Sequence, residues 1–169
     1  MNEKDQMILR LKLTELNSVW QEYCESHSNL YDLTCDEYMH LLSSDIEALE
    51  ETLEAKNEKI EYIKTLEVKR VEVLKELNDL SESIDVKKIG DVLELAKVLD
   101  DQSETNRLEK FNLLLLDIVE KIQDQNKLNQ LFLNKAILSL RDLKDSFSGR
   151  KTFKTYGSNG VTKSNNVTT

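Results

Sequence analysis

Apolar residues recur along most of this chain at alternating steps of three and four. In the first segment they are Leu9, Leu13, Leu16, Trp20 and Tyr23. This spacing places the side chains on one face of an α-helix, because a helix has about 3.6 residues per turn. The pattern therefore predicts a first helix from residue 5 to about residue 28.

A polar segment with the sequence SHSNLYDLTC, at 26–35, interrupts the pattern. Its composition is typical of a turn, and Thr34 or Asp36 is a suitable N-cap for a second helix that runs to about residue 80. The apolar stripe of that helix is Leu42, Ile46, Leu49, Leu53, Ile60, Ile63, Leu74 and Leu77. Charged residues stand at three inward positions, Lys56, Glu67 and Arg70. These interruptions predict either an end of the helix that projects past the core or a local charged layer.

A connection at 81–88 leads to a short helix that ends near Leu99, with Asp85 as its expected N-cap. A last long helix is predicted from Glu104 to about Phe147. Its stripe is Leu108, Phe111, Leu115, Ile118, Ile122, Gln125, Asn129, Phe132, Ala136, Leu140, Leu143 and Phe147. Four leucines beside the stripe are Leu114, Leu128, Leu131 and Leu138. This helix must therefore bury one face in its own bundle and another against something else.

Two asparagines interrupt the most apolar part of the last helix. Asn129 takes an inward position, and Asn126 lies at the edge of the stripe. Asparagine is a poor residue for a helix interior, because its amide competes for backbone groups. A polar residue on such a stripe can fix the alignment of helices at a cost in stability. The pattern leaves two roles open, a registry layer together with Gln125 and direct contact with a bound protein.

Proline is absent and glycine is rare, which favours helix throughout the body of the chain. Three of the four glycines lie in the last 21 residues. The sequence predicts an all-α fold, an elongated antiparallel bundle of three long helices and one short helix. The bundle domain is expected at 1–147. The segment 148–169 is rich in Ser, Gly, Asn, Thr and Lys, and a flexible C-terminal tail is expected there.

The charge is strongly asymmetric between the body and the tail. Residues 1–147 hold 32 acidic and 19 basic side chains, a net charge of −13, whereas the tail is basic and has no acid. An acidic body repels phosphate, so no nucleic-acid partner is expected. The start MNEKDQ is charged, and the longest apolar run is LLLL at 113–116. Neither an export signal nor membrane insertion is expected.

Candidate chemistry is sparse. Cys24, His27, Cys35 and His40 have a spacing that superficially resembles a zinc site. Zinc sites usually lie in Gly-rich knuckles, so the two thiols are expected to be ordinary side chains without a disulfide, as in a reducing compartment. The sequence contains no recognisable nucleophile arrangement and no Gly-rich phosphate loop. We expect no catalytic residues, no metal and no cofactor.

Several short motifs occur in a fixed order. Trp20 lies in the first helix, an L-E-x-x-R-x-x-x-L element spans Leu66–Leu74, and a short helix contains VLELA at 92–96. An N-x-x-N-x-L element follows at Asn126–Leu131, and a Y-G-x-x-G element at Tyr156–Gly160. This ordered set covers about residues 9–160. It resembles the FlgN family of flagellar type III export chaperones.

The resemblance implies a cytoplasmic, non-enzymatic chaperone. Members of the family bind the C-terminal amphipathic helices of hook-associated proteins, which form the hook–filament junction. They prevent premature assembly and deliver these subunits to the export gate. The physics agrees, because a helix with a second apolar face offers a groove for the amphipathic helix of a partner. The predicted cargo-binding residues are Leu114, Leu128, Leu131 and Leu138.

The resemblance also suggests roles for the polar motif in the last helix and for the tail. Asn126 and Asn129 belong to the polar motif of the family. Tyr156, Gly157 and Gly160 are expected to dock on the cytoplasmic domain of the export gate. A homodimer of the free protein that uses the cargo face is left open. The alternatives are a structural coiled-coil or scaffold protein, and another type III secretion chaperone with different cargo.

Overall fold

The computed structural model describes residues 3–81, 89–99, 102–148, 152–156 and 162–166. These residues form four helices, α1 (Glu3–Ser43), α2 (Ile46–Leu80), α3 (Ile89–Val98) and α4 (Gln102–Phe147). Two short strands follow, β1 (Thr152–Tyr156) and β2 (Thr162–Asn166). The predicted all-α bundle with three long helices and a short one is confirmed. Asp85, the predicted cap of the short helix, lies outside the described residues.

The connection between the first two helices lies later in the chain than the sequence predicted. Helix α1 ends at Ser43, and Ser44 has a positive φ of 56°. Asp45 is the N-cap of α2, and its side chain accepts a hydrogen bond from the backbone N–H of Ala48. The predicted turn at 26–35 and the predicted caps Thr34 and Asp36 are therefore wrong.

Helix α1 continues through 26–35 because small polar side chains extend its buried stripe. Ser26, Leu30 and Thr34 are all buried. The Thr34 hydroxyl donates to the backbone carbonyl of Leu30 at 2.7 Å, which satisfies it inside the helix. Turn propensity is a weak preference, and packing of one helix face overrides it here.

The main core joins all four helices within the unit formed by residues 1–127. It contains four residues of the predicted stripe of α1, together with apolar residues from the end of α2, from α3 and from the start of α4. Its buried residues are Leu9, Leu13, Leu16, Trp20, Val73, Leu74, Leu77, Val92, Leu95, Ala96, Leu99 and Leu108. Smaller clusters continue along α1, one around Val19, Tyr23 and Leu66 and another around Leu30, Ile118 and Ile122.

The first half of α2 follows the predicted stripe only in part. Thr52 is buried and the predicted inward residues Leu49, Lys56 and Ile63 are half-buried, whereas four predicted inward residues are exposed, Leu42, Ile46, Leu53 and Ile60. Three of these lie on α2, and Leu42 belongs to α1. The prediction was partly wrong because it used the spacing of apolar residues alone, whereas the buried face in this half includes polar side chains such as Thr52.

Helix α4 runs parallel to α1 in this unit, and its residues contact residues of α1 that lie 86 or 87 positions earlier in the chain. The Asn17 side-chain amide donates to the backbone carbonyl of Glu104 at 3.1 Å and to its carboxylate at 2.6 Å. About two turns further, the Cys24 thiol donates to the backbone carbonyl of Phe111 at 3.3 Å. Arg107 donates to Gln21 between these two points. These contacts hold the start of α4 in a fixed register on α1.

The second compact unit comprises residues 128–169. It contains the last part of α4 and the two strands, which pair in an antiparallel manner with Phe153 opposite Asn165 and Tyr156 opposite Thr162. The sequence analysis predicted no strand in this tail. The division between the two units falls inside α4, so the predicted domain boundary at 147/148 and the flexibility of the tail stay predictions.

Candidate functional site

Helix α4 exposes the leucines that lie beside its buried stripe. The four predicted binding residues, Leu114, Leu128, Leu131 and Leu138, have exposed fractions between 41% and 57%. The adjoining stripe positions Ile118, Ile122 and Asn129 are buried, as the register predicted. The two faces of α4 are therefore distinct up to this point, one buried and one apolar but open.

The last part of α4 is apolar and open on more than this one face. Leu140, Leu143 and Phe147 were predicted to face inward, but their exposed fractions are 54% to 89%. The prediction is wrong for these three, since a stripe shows only which side chains share a face and not whether that face is covered. Leu133 and Ile137 are also exposed, and the sequence analysis did not select them. Exposed large apolar side chains in such density are typical of an interaction surface.

Asn126 contributes to a polar layer that crosses three helices. The Lys56 ammonium on α2 forms a salt bridge with Glu37 on α1, and also donates to the Asn126 side-chain carbonyl on α4 at 3.4 Å. The side chains of Lys56 and Glu37 are mostly buried, at 12% and 17% exposure. Asn129, one turn further along, is buried as well. For Asn126 these contacts favour the registry role over direct contact with a bound protein.

We expect Lys56→Met to lower the free energy of unfolding by about 2 kcal/mol, because the Glu37 carboxylate would be left mostly buried without its cation. The matched control is Lys64→Met, which removes an exposed lysine of the same helix that pairs with Glu61. The control is expected to cost under about 0.5 kcal/mol. Urea unfolding of the two variants measures the difference, and equal values would mean that the layer does not stabilise the fold.

The L-E-x-x-R element forms a second polar layer between α1 and α2. Arg70 donates two hydrogen bonds to the Glu67 carboxylate, at 2.8 and 2.5 Å, and the Tyr23 hydroxyl donates to the same carboxylate at 2.5 Å. The Arg70 guanidinium also lies 6.0 Å from the ring centre of Trp20. Of the three charged residues predicted at inward positions, Lys56 and Arg70 are half-buried and paired, whereas the Glu67 side chain is 49% exposed.

The pKa values in this layer follow from its contacts. The hydrogen bonds from Arg70, and then the one from Tyr23, hold the pKa of Glu67 below its usual range. Burial, followed by the hydrogen bond to Glu67, raises the pKa of Tyr23. The carboxylate and the phenol thus stay in their charged and neutral forms over the physiological range, as a structural layer requires.

The cysteines and histidines do not gather into a site. All four lie on the single helix α1, where Cys24 and Cys35 are separated by about 16 Å along the axis. Burial raises the pKa of the Cys24 thiol, and the His27 ring bonds to the backbone carbonyl of Tyr23 at 2.8 Å. Within the described part of the chain, no group of three or more His, Cys, Asp or Glu side chains is arranged to hold a metal.

The predicted docking element of the tail is only partly within the described residues. Tyr156 is the last residue of β1 and pairs with Thr162 of β2. Gly157 and Gly160 lie outside the described residues. The role of all three stays a prediction.

No helix among the described residues combines the length and the apolar character needed to cross a membrane. The comparison with curated proteins found no match, and neither did the comparison with solved structures. The family model described as FlgN protein matches residues 7–164, which is nearly the whole chain and includes the motifs in α2, in α4 and in the tail. The chain therefore belongs to the FlgN family, whose members are flagellar export chaperones.

Proposed function

We propose that this protein binds the C-terminal amphipathic helices of hook-associated proteins, prevents their premature assembly and delivers them to the type III export gate in the cytoplasm. The observation that carries this proposal is the row of exposed leucines on α4. A subunit helix with one apolar face needs a complementary apolar surface, and these leucines supply it in the helix-in-groove manner.

The fold supports binding rather than catalysis. Three groups with shifted pKa values, Tyr23, Glu67 and Arg70, bond to one another between α1 and α2. Their mutual contacts support a structural role for this layer. The exposed leucines Leu114, Leu128, Leu131 and Leu138 on α4 do not belong to the core of the first unit, which supports a role in partner binding.

Mixing the purified protein with the terminal segment of a hook-associated protein from the same organism tests the proposal. We expect a stoichiometric complex in size-exclusion chromatography with light scattering. If free protein pairs through the same leucines, the segment should convert a dimer into that complex. A scaffold protein would instead form a concentration-dependent oligomer and show no affinity for the segment.

We also propose that the tail docks on the cytoplasmic domain of the export gate through Tyr156. A short tether with one aromatic anchor suits weak and reversible docking. Tyr156→Ala is expected to weaken binding to the gate domain by about 10-fold, as measured by surface plasmon resonance, and to leave binding of the subunit segment unchanged. The control is Tyr62→Ala, which removes an exposed tyrosine of α2. Equal loss of both activities would indicate a structural role for Tyr156.

A further inference from the structure

An open groove of about 520 Å³ lies between α1 and α4 in the first unit. Its floor is apolar, since it is lined by Cys24 from α1 and by Phe111 and Ile118 from α4, all buried or half-buried. Leu114 lines the groove as well, with 46% of its surface exposed. The groove thus presents a preformed apolar slot beside one of the four predicted binding residues.

Two acidic residues and one lysine line the edges of the groove. Glu25 lines it from α1, and Asp117 and Lys121 line it from α4. Asp117 pairs with Lys121 at 2.7 Å, so its charge is compensated locally. Glu25 is exposed and accepts a hydrogen bond from the neutral amide of Gln21 at 3.0 Å, a contact that leaves its negative charge in place. A ligand that brings a cation to this edge would gain from Glu25.

We propose that this groove is the anchor subsite for the bound subunit helix. It would take one large apolar side chain of that helix, while a lysine or arginine three or four residues away pairs with Glu25. This inference rests on the proposed function. Residues three or four apart share one face of a helix, so both contacts can form at once. Two packed helices with an apolar trough between them are a common seat for a third helix.

The charge of the protein selects this occupant over a second copy of the chain. The body carries a net charge of −13 in residues 1–147. A second copy would bring more carboxylates towards Glu25, which is unfavourable. A helix with a basic residue beside its apolar anchor matches both the floor and the edge of the groove.

The test uses the full-length protein and a fluorescein-labelled peptide that contains the terminal helical segment of a hook-associated protein from the same organism. Leu114→Glu is expected to weaken peptide binding by at least about 10-fold in fluorescence anisotropy. The matched control is Leu113→Glu, because Leu113 is the adjacent leucine, is 67% exposed and does not line the groove. The control should change the affinity by less than about 2-fold. Thermal unfolding checks that both variants are folded.

A separate experiment tests the proposed ion pair between Glu25 and a basic residue of the peptide. Each basic residue of the peptide is replaced in turn by glutamate, and each peptide is measured against the wild-type protein and against Glu25→Lys. One of these peptide replacements should weaken binding to the wild-type protein by about 5-fold or more. The Glu25→Lys variant should restore the affinity for that peptide, whereas the control Glu109→Lys, on the surface of α4, should not. Absence of any restored pair would overturn the assignment of Glu25.

The outcomes separate this inference from the proposed function. If the peptide binds the wild type and Leu114→Glu equally well, while Leu128→Asp with Leu131→Asp abolishes binding, the groove is not the anchor subsite and the chaperone function stands. If the wild type does not bind the peptide, the proposed function itself fails. If Leu114→Glu only converts a dimer into a monomer without a change in peptide affinity, the occupant is a second copy and the inference is wrong.

Discussion

Simultaneous replacement of Leu128 and Leu131 by aspartate is expected to weaken binding of the terminal segment of a hook-associated protein by at least about 100-fold. Each leucine is exposed on α4 and offers a large apolar contact. A central apolar contact contributes about 1–2 kcal/mol or more, and 1.4 kcal/mol corresponds to 10-fold in affinity. The two aspartates would also place charges against an apolar partner face, which adds a desolvation cost.

Isothermal titration calorimetry with the purified segment measures this loss. The control is the double variant Leu11→Asp, Leu116→Asp, which changes two exposed leucines outside the proposed binding residues. Both double variants should unfold within a few degrees of the wild type, because substitutions at exposed positions cost under about 0.5 kcal/mol each. Native affinity in the Leu128→Asp, Leu131→Asp variant would contradict the assignment of the cargo-binding face.

The helices were predictable where packing follows apolar periodicity. The stripe of α4 is a clear example, since Leu108, Ile118 and Ile122 are buried as the register predicted. The prediction failed at 26–35, where α1 fills inward positions with Ser26 and Thr34. Serine and threonine indicate a turn when they are seen alone. Only the neighbouring helices show that these small side chains face a closely packed surface, and that information is not local.

The candidate site was also predictable in part, where it depends on the apolar pattern of a single helix. The excess of leucines on α4 indicated a second apolar face, and all four selected residues are exposed. The partner of Asn126 was not predictable, because Lys56 lies 70 residues earlier in the chain. The groove beside Leu114 depends on the register of α1 against α4. That register is fixed by contacts such as Asn17 with Glu104, whose sequence separation hides them from any periodic pattern.

The stability of the first unit is expected to depend strongly on Leu77. Its side chain is 0% exposed and lies in the core that joins all four helices. Leu77→Ala should lower the free energy of unfolding by about 3 kcal/mol, because it removes buried methyl groups and leaves a cavity that the helices close only in part. For a chain of this length, that cost corresponds to a fall of roughly 10 °C in Tm.

Leu116→Ala is the matched control, since it makes the same chemical change at an exposed position of α4. It should lower the free energy of unfolding by under about 0.5 kcal/mol. Circular dichroism during thermal and urea unfolding measures both variants. Below its Tm, Leu77→Ala should still bind the subunit segment with native affinity, because it removes no exposed surface, whereas the aspartate variant of Leu128 and Leu131 should be stable and fail to bind. Equal stability of the two alanine variants would contradict the placement of Leu77 in the core. A loss of binding in Leu77→Ala well below its Tm would mean that the cargo-binding surface depends on this core.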